Sequence, residues 1–143
     1  MAHKITDVMT PIPQCCTLDD SVIEVARVMA QHDVGAVPIV ESQDTRRVLG
    51  ILTDRDLVLR VVAEGRDPNE MVSVRDIMTN EIVSVSPEAD TLHVEELMKE
   101  HQVRRVLVVD QHGSIVGIVT MSDLARATDE TQLGDTEKGI TGR

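Results

Sequence analysis

The feature that most constrains how this chain can fold is an internal duplication. Residues 50–57 read GILTDRDL and residues 117–124 read GIVTMSDL, so a glycine, a threonine and an aspartate recur at the same spacing. In each copy a short apolar run typical of a buried strand leads into an apolar-periodic segment typical of a helix. The motif therefore predicts a strand-to-helix turn in each half of the chain. We name residues 50–57 the first elbow and residues 117–124 the second elbow.

The duplication extends well beyond the elbows. Residues 7–10 (DVMT) recur as residues 76–79 (DIMT) at an offset of 69, and this offset persists to the apolar runs before the elbows. The elbows are offset by 67, so the second copy is shorter in the polar turn that precedes its elbow. Duplication of this kind marks one structural unit used twice. We predict two repeats, residues 1–66 and 67–128, and a flexible C-terminal tail at residues 129–143.

Within each copy the apolar pattern predicts the order strand, helix, strand, turn, strand, helix, which is an α+β fold. Ser21 and Glu24 are spaced as a capping box at the start of the first helix. Apolar residues at helical spacing predict helices over residues 20–32 and 90–101. The short β-branched runs that follow them predict strands over residues 34–40 and 105–109.

Composition argues against several classes of function. The net charge is -11, from 14 basic and 25 acidic residues, which opposes binding of nucleic acid through a general positive field. The chain has no Phe, Trp or Tyr, so aliphatic side chains would have to hold any ligand ring. No apolar run approaches the roughly 20 residues of a membrane span, and no signal-peptide pattern is present. We therefore expect a cytoplasmic protein without a membrane partner.

The cysteines and histidines do not form a recognisable metal or catalytic motif. Cys15 and Cys16 are adjacent, which is poor geometry for a mutual disulfide, and we expect partly buried reduced thiols. Metal ligation by this pair with some of the five histidines is the alternative, although no ligand spacing supports it. No nucleophile, acid, base or metal cluster is spaced for catalysis, so we predict that the chain is not an enzyme.

The elbows themselves have two interpretations. In the structural one, the threonine caps the first helical turn and the aspartate stabilises the positive end of the helix. In the functional one, N–H groups and a hydroxyl at a helix N-terminus bind a phosphate, and the carboxylate accepts hydrogen bonds from both hydroxyls of a ribose. Capping alone does not require the glycine three residues before each threonine. Both interpretations stay open on these residues alone.

Three recurring motifs together resemble a tandem pair of cystathionine-β-synthase-type (CBS) domains, a Bateman module, over roughly residues 5–128. They are the Asp-h-Met-Thr opening, His-x-Val-x-x-Val before the middle strand, and Gly-h-h-Thr-x-x-Asp, where h is apolar. The chain is similar to stand-alone bacterial two-CBS proteins, including the hypoxic-response type. The resemblance implies two β-α-β-β-α repeats related by a pseudo-twofold axis, two clefts and a homodimer. It also implies an adenosine-containing ligand of the AMP, ADP, ATP, NAD or S-adenosylmethionine class, with AMP expected.

In members of this family that bind nucleotides, each cleft takes ribose and phosphate from one repeat and part of the base from the opening segment of the other. For the first cleft the resemblance implies Asp56 on ribose, Thr53 and Arg55 on phosphate, and a lining of Val34, Gly35, Ala36, Ile82 and Val83. For the second it implies Asp123 on ribose, Thr120 and Ser122 on phosphate, and a lining of Val103, Arg104, Arg105, Ile12 and Pro13.

The two clefts differ in charge. Arg104 and Arg105 stand where the first copy has Gly35 and Ala36. Charge-assisted hydrogen bonds are roughly twice as strong as neutral ones, so we expect the second cleft to hold more phosphate charge. In the structural alternative, these arginines only pair with surface carboxylates, which is worth ~0–1 kcal/mol.

Two functional hypotheses follow. The first is a non-enzymatic sensor in which an adenosine ligand changes the binding of an unknown regulated protein. The second is a stress-response interaction protein with vestigial clefts, acting through dimerisation or a bound metal.

Overall fold

The computed structural model describes residues 3–11, 13–70 and 72–136, with only the backbone at residues 130–136. In chain order the elements are α1 (Ile5–Val8), β1 (Thr10–Pro11), β2 (Cys16–Thr17), α2 (Val22–His32), β3 (Ala36–Val40), β4 (Val48–Thr53), α3 (Asp54–Leu57), a π-helical segment (Val58–Val62), α4 (Val74–Ile77), β5 (Ser84–Val85), α5 (Thr91–His101), β6 (Arg105–Val109), β7 (Ile115–Thr120) and α6 (Met121–Thr136).

The chain forms two compact units that exchange the opening segments of the two repeats. The first unit comprises Met1–Ile12, Val83–Gln111 and Ile115–Arg143, and the second comprises Pro13–Ile82 and His112–Ser114. Each unit therefore combines the main sheet of one repeat with the opening segment of the other. The repeat boundaries predicted above divide the sequence and stay a prediction.

The second unit is built on a three-stranded sheet in the order β2-β3-β4. Strand β2 runs parallel to β3, and β4 runs antiparallel to it. All five residues of β3 are buried, as the β-branched run predicts for a central strand. Ile39 and Leu52 from the sheet pack in one apolar cluster with Val25 from α2 and Ile77 from α4. The opening segment of the second repeat thus completes this core.

The first unit is built on a four-stranded sheet in the order β1-β7-β6-β5. Strands β1 and β6 flank β7 in antiparallel pairs, and β5 runs parallel to β6. Ile5 from α1 is fully buried in one cluster with Val94 from α5, Val106 and Val119. Here the opening segment of the first repeat completes the core, so the α+β architecture is the same in both units.

The two longest predicted helices and the middle strands agree with the sequence predictions apart from their ends, whereas the short helices α1 and α4 of the opening segments were not predicted. Helix α2 begins at Val22 rather than at residue 20, and its predicted capping box is present: Ser21 Oγ accepts from Glu24 N at 3.0 Å. Strand β3 begins at Ala36 rather than at residue 34. The reason is that Asp33 ends the helix in the left-handed conformation, and Val34 N still donates to the Met29 carbonyl.

Two predictions for the later helices need correction. The segment after α3 was expected to be an ordinary helix, but Val58–Val62 is π-helical. Helix α6 continues to Thr136, past the end expected at Thr128, and residues 137–143 of the predicted tail lie outside the described residues. Among the described residues, no helix combines the length and apolar character needed to cross a membrane.

Candidate functional site

The glycine of each elbow is explained by contact with the repeated opening segment. A Cβ atom at Gly50 would lie 2.7 Å from the carbonyl oxygen of Thr79, and one at Gly117 would collide with the side chain of Met9. In the second unit this approach is fixed by Ile51 N, which donates to Thr79 O at 2.9 Å. The glycines therefore allow the two repeated motifs to pack against each other, a role that capping does not require.

The first elbow holds its aspartate in a capping box. Thr53 Oγ1 accepts from Asp56 N at 3.1 Å, and Asp56 Oδ2 accepts from Thr53 N at 3.0 Å. The Asp56 residue is only 8% exposed. The Thr79 hydroxyl lies 3.4 Å from both carboxylate oxygens, and Arg60 Nε lies 3.8 Å from Oδ1. This buried carboxylate is therefore surrounded by donors from three segments of the same unit.

The second elbow repeats the capping box and changes the remaining partner. Thr120 Oγ1 accepts from Asp123 N at 3.1 Å, and Asp123 Oδ2 accepts from Thr120 N at 2.9 Å. Asp123 is 5% exposed. Its other oxygen, Oδ1, accepts directly from Arg126 Nη2, which also makes the pair a salt bridge. Each elbow thus presents a buried carboxylate with an arginine beside it.

The first helical turn is more acidic at the first elbow than at the second. Asp54 N donates to the Gly35 carbonyl at 2.9 Å, and Arg55 N donates to the Asp54 carboxylate at 2.8 Å. At the first elbow, the N–H groups that a phosphate would bind therefore already donate to acceptors within the protein. At the second elbow Met121 N donates to the Arg104 carbonyl at 2.9 Å. Met121 occupies the position of Asp54 and brings a thioether, which is a weak acceptor without charge.

The predicted site residues fall into two groups around the elbows. In the second unit Gly35 and Ala36 lie beside Thr53, Arg55 and Asp56, since Ala36 pairs with Thr53 in the β3–β4 ladder. In the first unit the ladder pairs Arg105 with Thr120, and it gathers Val103, Arg104 and Arg105 near Thr120, Ser122 and Asp123.

The remaining lining residues are placed as follows. Val34 precedes Gly35 and is 40% exposed. Ile82 belongs to the second unit, which contains the first elbow. Val83 belongs to the first unit, where its carbonyl accepts a hydrogen bond from Leu107 N at 3.0 Å. Pro13 is buried in the second unit, and its carbonyl accepts from Arg46. Ile12 lies outside the described residues.

Three residues that contact the aspartates were missed by the sequence analysis: Thr79, Arg60 and Arg126. The arginines had a signal, because each follows its aspartate by one helical turn, three or four residues later. Thr79 belongs to a recurring motif, but its contact with Asp56 depends on long-range packing that periodicity does not reveal.

The cysteines are free thiols in an environment that opposes ionisation. Burial, with a further contribution from Asp20, raises the pKa of Cys16 to about 12. Burial also raises the pKa of Cys15, although Arg46 Nη2 lies 2.9 Å from its sulfur. A protonated thiol is a poor nucleophile and a poor metal ligand. Within the described part of the chain, no three His, Cys, Asp or Glu side chains are grouped to hold a metal ion.

Comparison with known proteins agrees with this architecture. The family model of the CBS domain matches residues 5–63 and 74–130. The chain is 40% identical over 122 residues to the CBS domain-containing protein YhcV of Bacillus subtilis, a match that covers 85% of this chain and 83% of the relative. It is 37% identical over 134 residues to Hypoxic response protein 1 of Mycobacterium tuberculosis, covering 94% of this chain and 91% of the relative.

Two crystal structures share the fold. One is Hypoxic Response Protein I with two coordinated zinc ions; it matches with a TM-score of 0.74 at 35% identity, over 87% of this chain and 98% of that chain. The other is a CBS domain pair in complex with 5′-methylthioadenosine and S-adenosyl-L-methionine; it matches with a TM-score of 0.77 at 25% identity, over 88% of this chain and 99% of that chain. The resemblance is thereby confirmed, and the chain belongs to the CBS domain family, of which it carries two copies.

Proposed function

We propose that this CBS pair is a non-enzymatic sensor of an adenosine-containing ligand, with Asp56 and Asp123 accepting hydrogen bonds from ribose hydroxyls. The observation that carries the proposal is the duplicated elbow, which buries one carboxylate beside an arginine in each unit. Support comes from the related CBS pair that was crystallised with two adenosine derivatives. A pair of CBS domains is in general a regulatory module and not a catalytic one.

Capping and ribose binding are compatible at one carboxylate. An ionised carboxylate offers about four lone-pair positions, and Asp123 uses Oδ2 for Thr120 N and Oδ1 for Arg126. About two positions are therefore left for the two hydroxyls of a ribose. The capping bond also fixes the orientation of the carboxylate before any ligand arrives, so little side-chain entropy would be lost on binding.

The charge around the elbows favours a phosphate at the second one. Arg105 begins β6 and pairs with Thr120 in the β6–β7 ladder, and Arg104 lies directly before it in the chain. Met121 adds no negative charge to the first turn of α6. At the first elbow the Asp54 carboxylate lies on Arg55 N, where a phosphate oxygen would otherwise bind. Since AMP carries one phosphate, it matches one cationic elbow, and we propose AMP as the ligand of the second elbow.

We also propose that the protein forms a homodimer through exposed apolar helix surfaces. In the second unit Val58, Leu59 and Val62 are 55%, 47% and 71% exposed. In the first unit Met121 is 49% exposed beside a cavity of about 250 Å³ between α5 and α6. Light scattering should give twice the chain mass, and Val62→Asp should lower it; a monomeric wild-type protein would contradict this proposal.

The alternative is an interaction protein with vestigial elbows and a bound metal. The observation in its favour is the zinc in the related Hypoxic Response Protein I. Among the described residues of this chain, no three metal ligands are grouped together. Atomic emission analysis of the purified protein tests the metal: stoichiometric zinc that survives dialysis would favour the alternative.

Calorimetric titration of the full chain with AMP, ADP, ATP, NAD and S-adenosylmethionine tests the sensor. The chain has no Trp or Tyr, so thermal unfolding should be followed with an external dye or by circular dichroism. We expect one ligand of the series to bind and to stabilise the fold by about 2.7 kcal/mol when present at 100 times its Kd. Asp44→Asn, at an exposed turn position, is the control and should bind as the wild type does. No binding by any of the five compounds would overturn the sensor.

A further inference from the structure

Both units place an arginine against the elbow carboxylate, although the spacing in the sequence differs. Arg60 follows Asp56 by four residues, whereas Arg126 follows Asp123 by three. The first copy therefore has one more residue between the two groups. Arg60 lies in the π-helical segment Val58–Val62, whereas Arg126 lies in the α-helix α6, and both spacings bring side chains together on one helix face. An arginine thus contacts the elbow carboxylate in both copies, although the spacing between the two residues differs.

The two arginines are held in different ways. Arg60 Nη1 donates to the carbonyl oxygens of Ile77 and Met78 at 3.3 Å each, while its Nε is 3.8 Å from Asp56. Arg60 is therefore anchored on the opening segment. Arg126 instead donates directly to Asp123 Oδ1. Among the described side chains, this carboxylate is the polar group that the Arg126 guanidinium contacts. Among the described side chains, releasing Arg126 therefore breaks one polar contact, whereas releasing Arg60 breaks three.

We propose that Arg126 determines the ligand specificity of the second elbow by exchanging Asp123 for the phosphate of the ligand. The inference rests on the proposed function. In the ligand-free protein, Arg126 balances a carboxylate that is 95% removed from solvent, because a buried charge without a partner is costly. Ribose hydroxyls would supply new donors to Asp123, and the guanidinium would then turn to the phosphate. The elbow should therefore prefer an anionic adenosine ligand to a neutral one.

The helix geometry permits this exchange. Side chains of an α-helix lean toward its N-terminus, so Arg126 extends toward the first turn of α6, where Ser122 lies. The Arg126 side chain is 36% exposed and the Asp123 side chain is 5% exposed. The cation therefore reaches solvent while the carboxylate stays buried, as an exchange of partners requires. The backbone of Arg104 lies at the same turn, since its carbonyl accepts from Met121 N.

The test compares AMP with adenosine by calorimetry on the full chain. We expect the wild type to bind AMP about tenfold more tightly than adenosine, which corresponds to one charge-assisted hydrogen bond. Arg126→Gln keeps a donor for Asp123 but removes the charge, so it should lose most of this preference while binding adenosine as well as the wild type or better. Arg126→Lys should keep the preference. Arg66→Gln, at an exposed arginine outside both elbows, is the control and should leave the AMP-to-adenosine ratio unchanged.

The outcomes separate this inference from the proposed function. Equal weakening of AMP and adenosine by Arg126→Gln would show that Arg126 is only structural and would overturn the inference. The same ratio change in Arg66→Gln would also overturn it, because the loss of any positive charge would then have the same effect. Failure of the wild type to bind either compound would overturn the proposed function itself. Arg126→Lys keeps the test decisive if the Gln variant does not fold, since loss of the preference in that charged variant contradicts the exchange.

Discussion

The two elbows share one backbone design and differ in the charge placed on it. Both have a capping box of the same geometry, with Oγ1 to N distances of 3.1 Å in each. The first elbow has a carboxylate, Asp54, at its first helical position. The second elbow has the uncharged Met121 at that position, and Met121 N donates to the carbonyl of Arg104. The comparison teaches that capping and glycine contacts maintain the same backbone geometry at both elbows, while the neighbouring side chains give the two elbows different charges.

The first prediction concerns the glycines. A Cβ at Gly50 would meet the Thr79 carbonyl, which is held by Ile51 N, whereas one at Gly117 would meet the flexible Met9 side chain. We expect Gly50→Ala to lower the free energy of unfolding by about 2–3 kcal/mol and Gly117→Ala by about 1 kcal/mol. Urea denaturation followed by circular dichroism measures both. Equal losses would mean that the two contacts are equally rigid.

The second prediction concerns the carboxylates. Asp123→Asn should weaken AMP binding about thirtyfold, because the amide loses charge and one acceptor, and Asp56→Asn should weaken it about threefold. The difference is expected because we propose that the phosphate of AMP binds at the second elbow. Calorimetry measures both affinities. A larger loss in Asp56→Asn would reverse the assignment of the stronger site.

The third prediction exchanges the residues at the first helical position. Met121→Asp should weaken AMP binding about threefold, since it places a carboxylate near the phosphate, and Asp54→Met should strengthen binding at the first elbow by a similar factor. Adenosine binding should change little in either variant, because adenosine has no phosphate. If both variants altered adenosine and AMP equally, charge at this position would not explain the difference between the elbows.

The fourth prediction concerns the capping box of each elbow and tests whether the two capping boxes stabilise the protein equally. Thr53→Val and Thr120→Val each remove the hydroxyl that accepts from the aspartate N–H. We expect each to cost about 1 kcal/mol of stability, with the melting temperature lowered to a similar extent in both. A large difference between the two variants would show that the elbows are not equivalent in structure.

Much of the fold followed from the sequence because local rules and the tertiary structure agree. The capping box at Ser21 and the strand at Arg105–Val109 were predicted from spacing and β-branched runs. The beginning of β3 was misplaced because the left-handed Asp33 has no strong sequence signal. The π-helical segment was missed because the apolar pattern of residues 57–62 is the same as that of an ordinary helix.

The geometry of the elbows could be predicted where the duplication marked it and was missed where long-range packing decides. Thr53, Asp56, Thr120 and Asp123 stand in recurring motifs, so their capping arrangement could be inferred. The exchange of opening segments between units brings Thr79 to Asp56, and no local pattern predicts that contact. The sequence also left the elbow glycines without a reason, which their close contacts now supply.

The central claim is that Asp123 accepts a hydrogen bond from the ribose of the ligand. Calorimetric affinities of AMP and 2′-deoxy-AMP for the wild type and for Asp123→Asn form a double-mutant cycle between the 2′-hydroxyl and the carboxylate. We predict that removal of the 2′-hydroxyl weakens binding to the wild type about tenfold and changes binding to Asp123→Asn by less than about twofold. The same loss in both proteins would contradict the claim, since the hydroxyl and the carboxylate would then act independently.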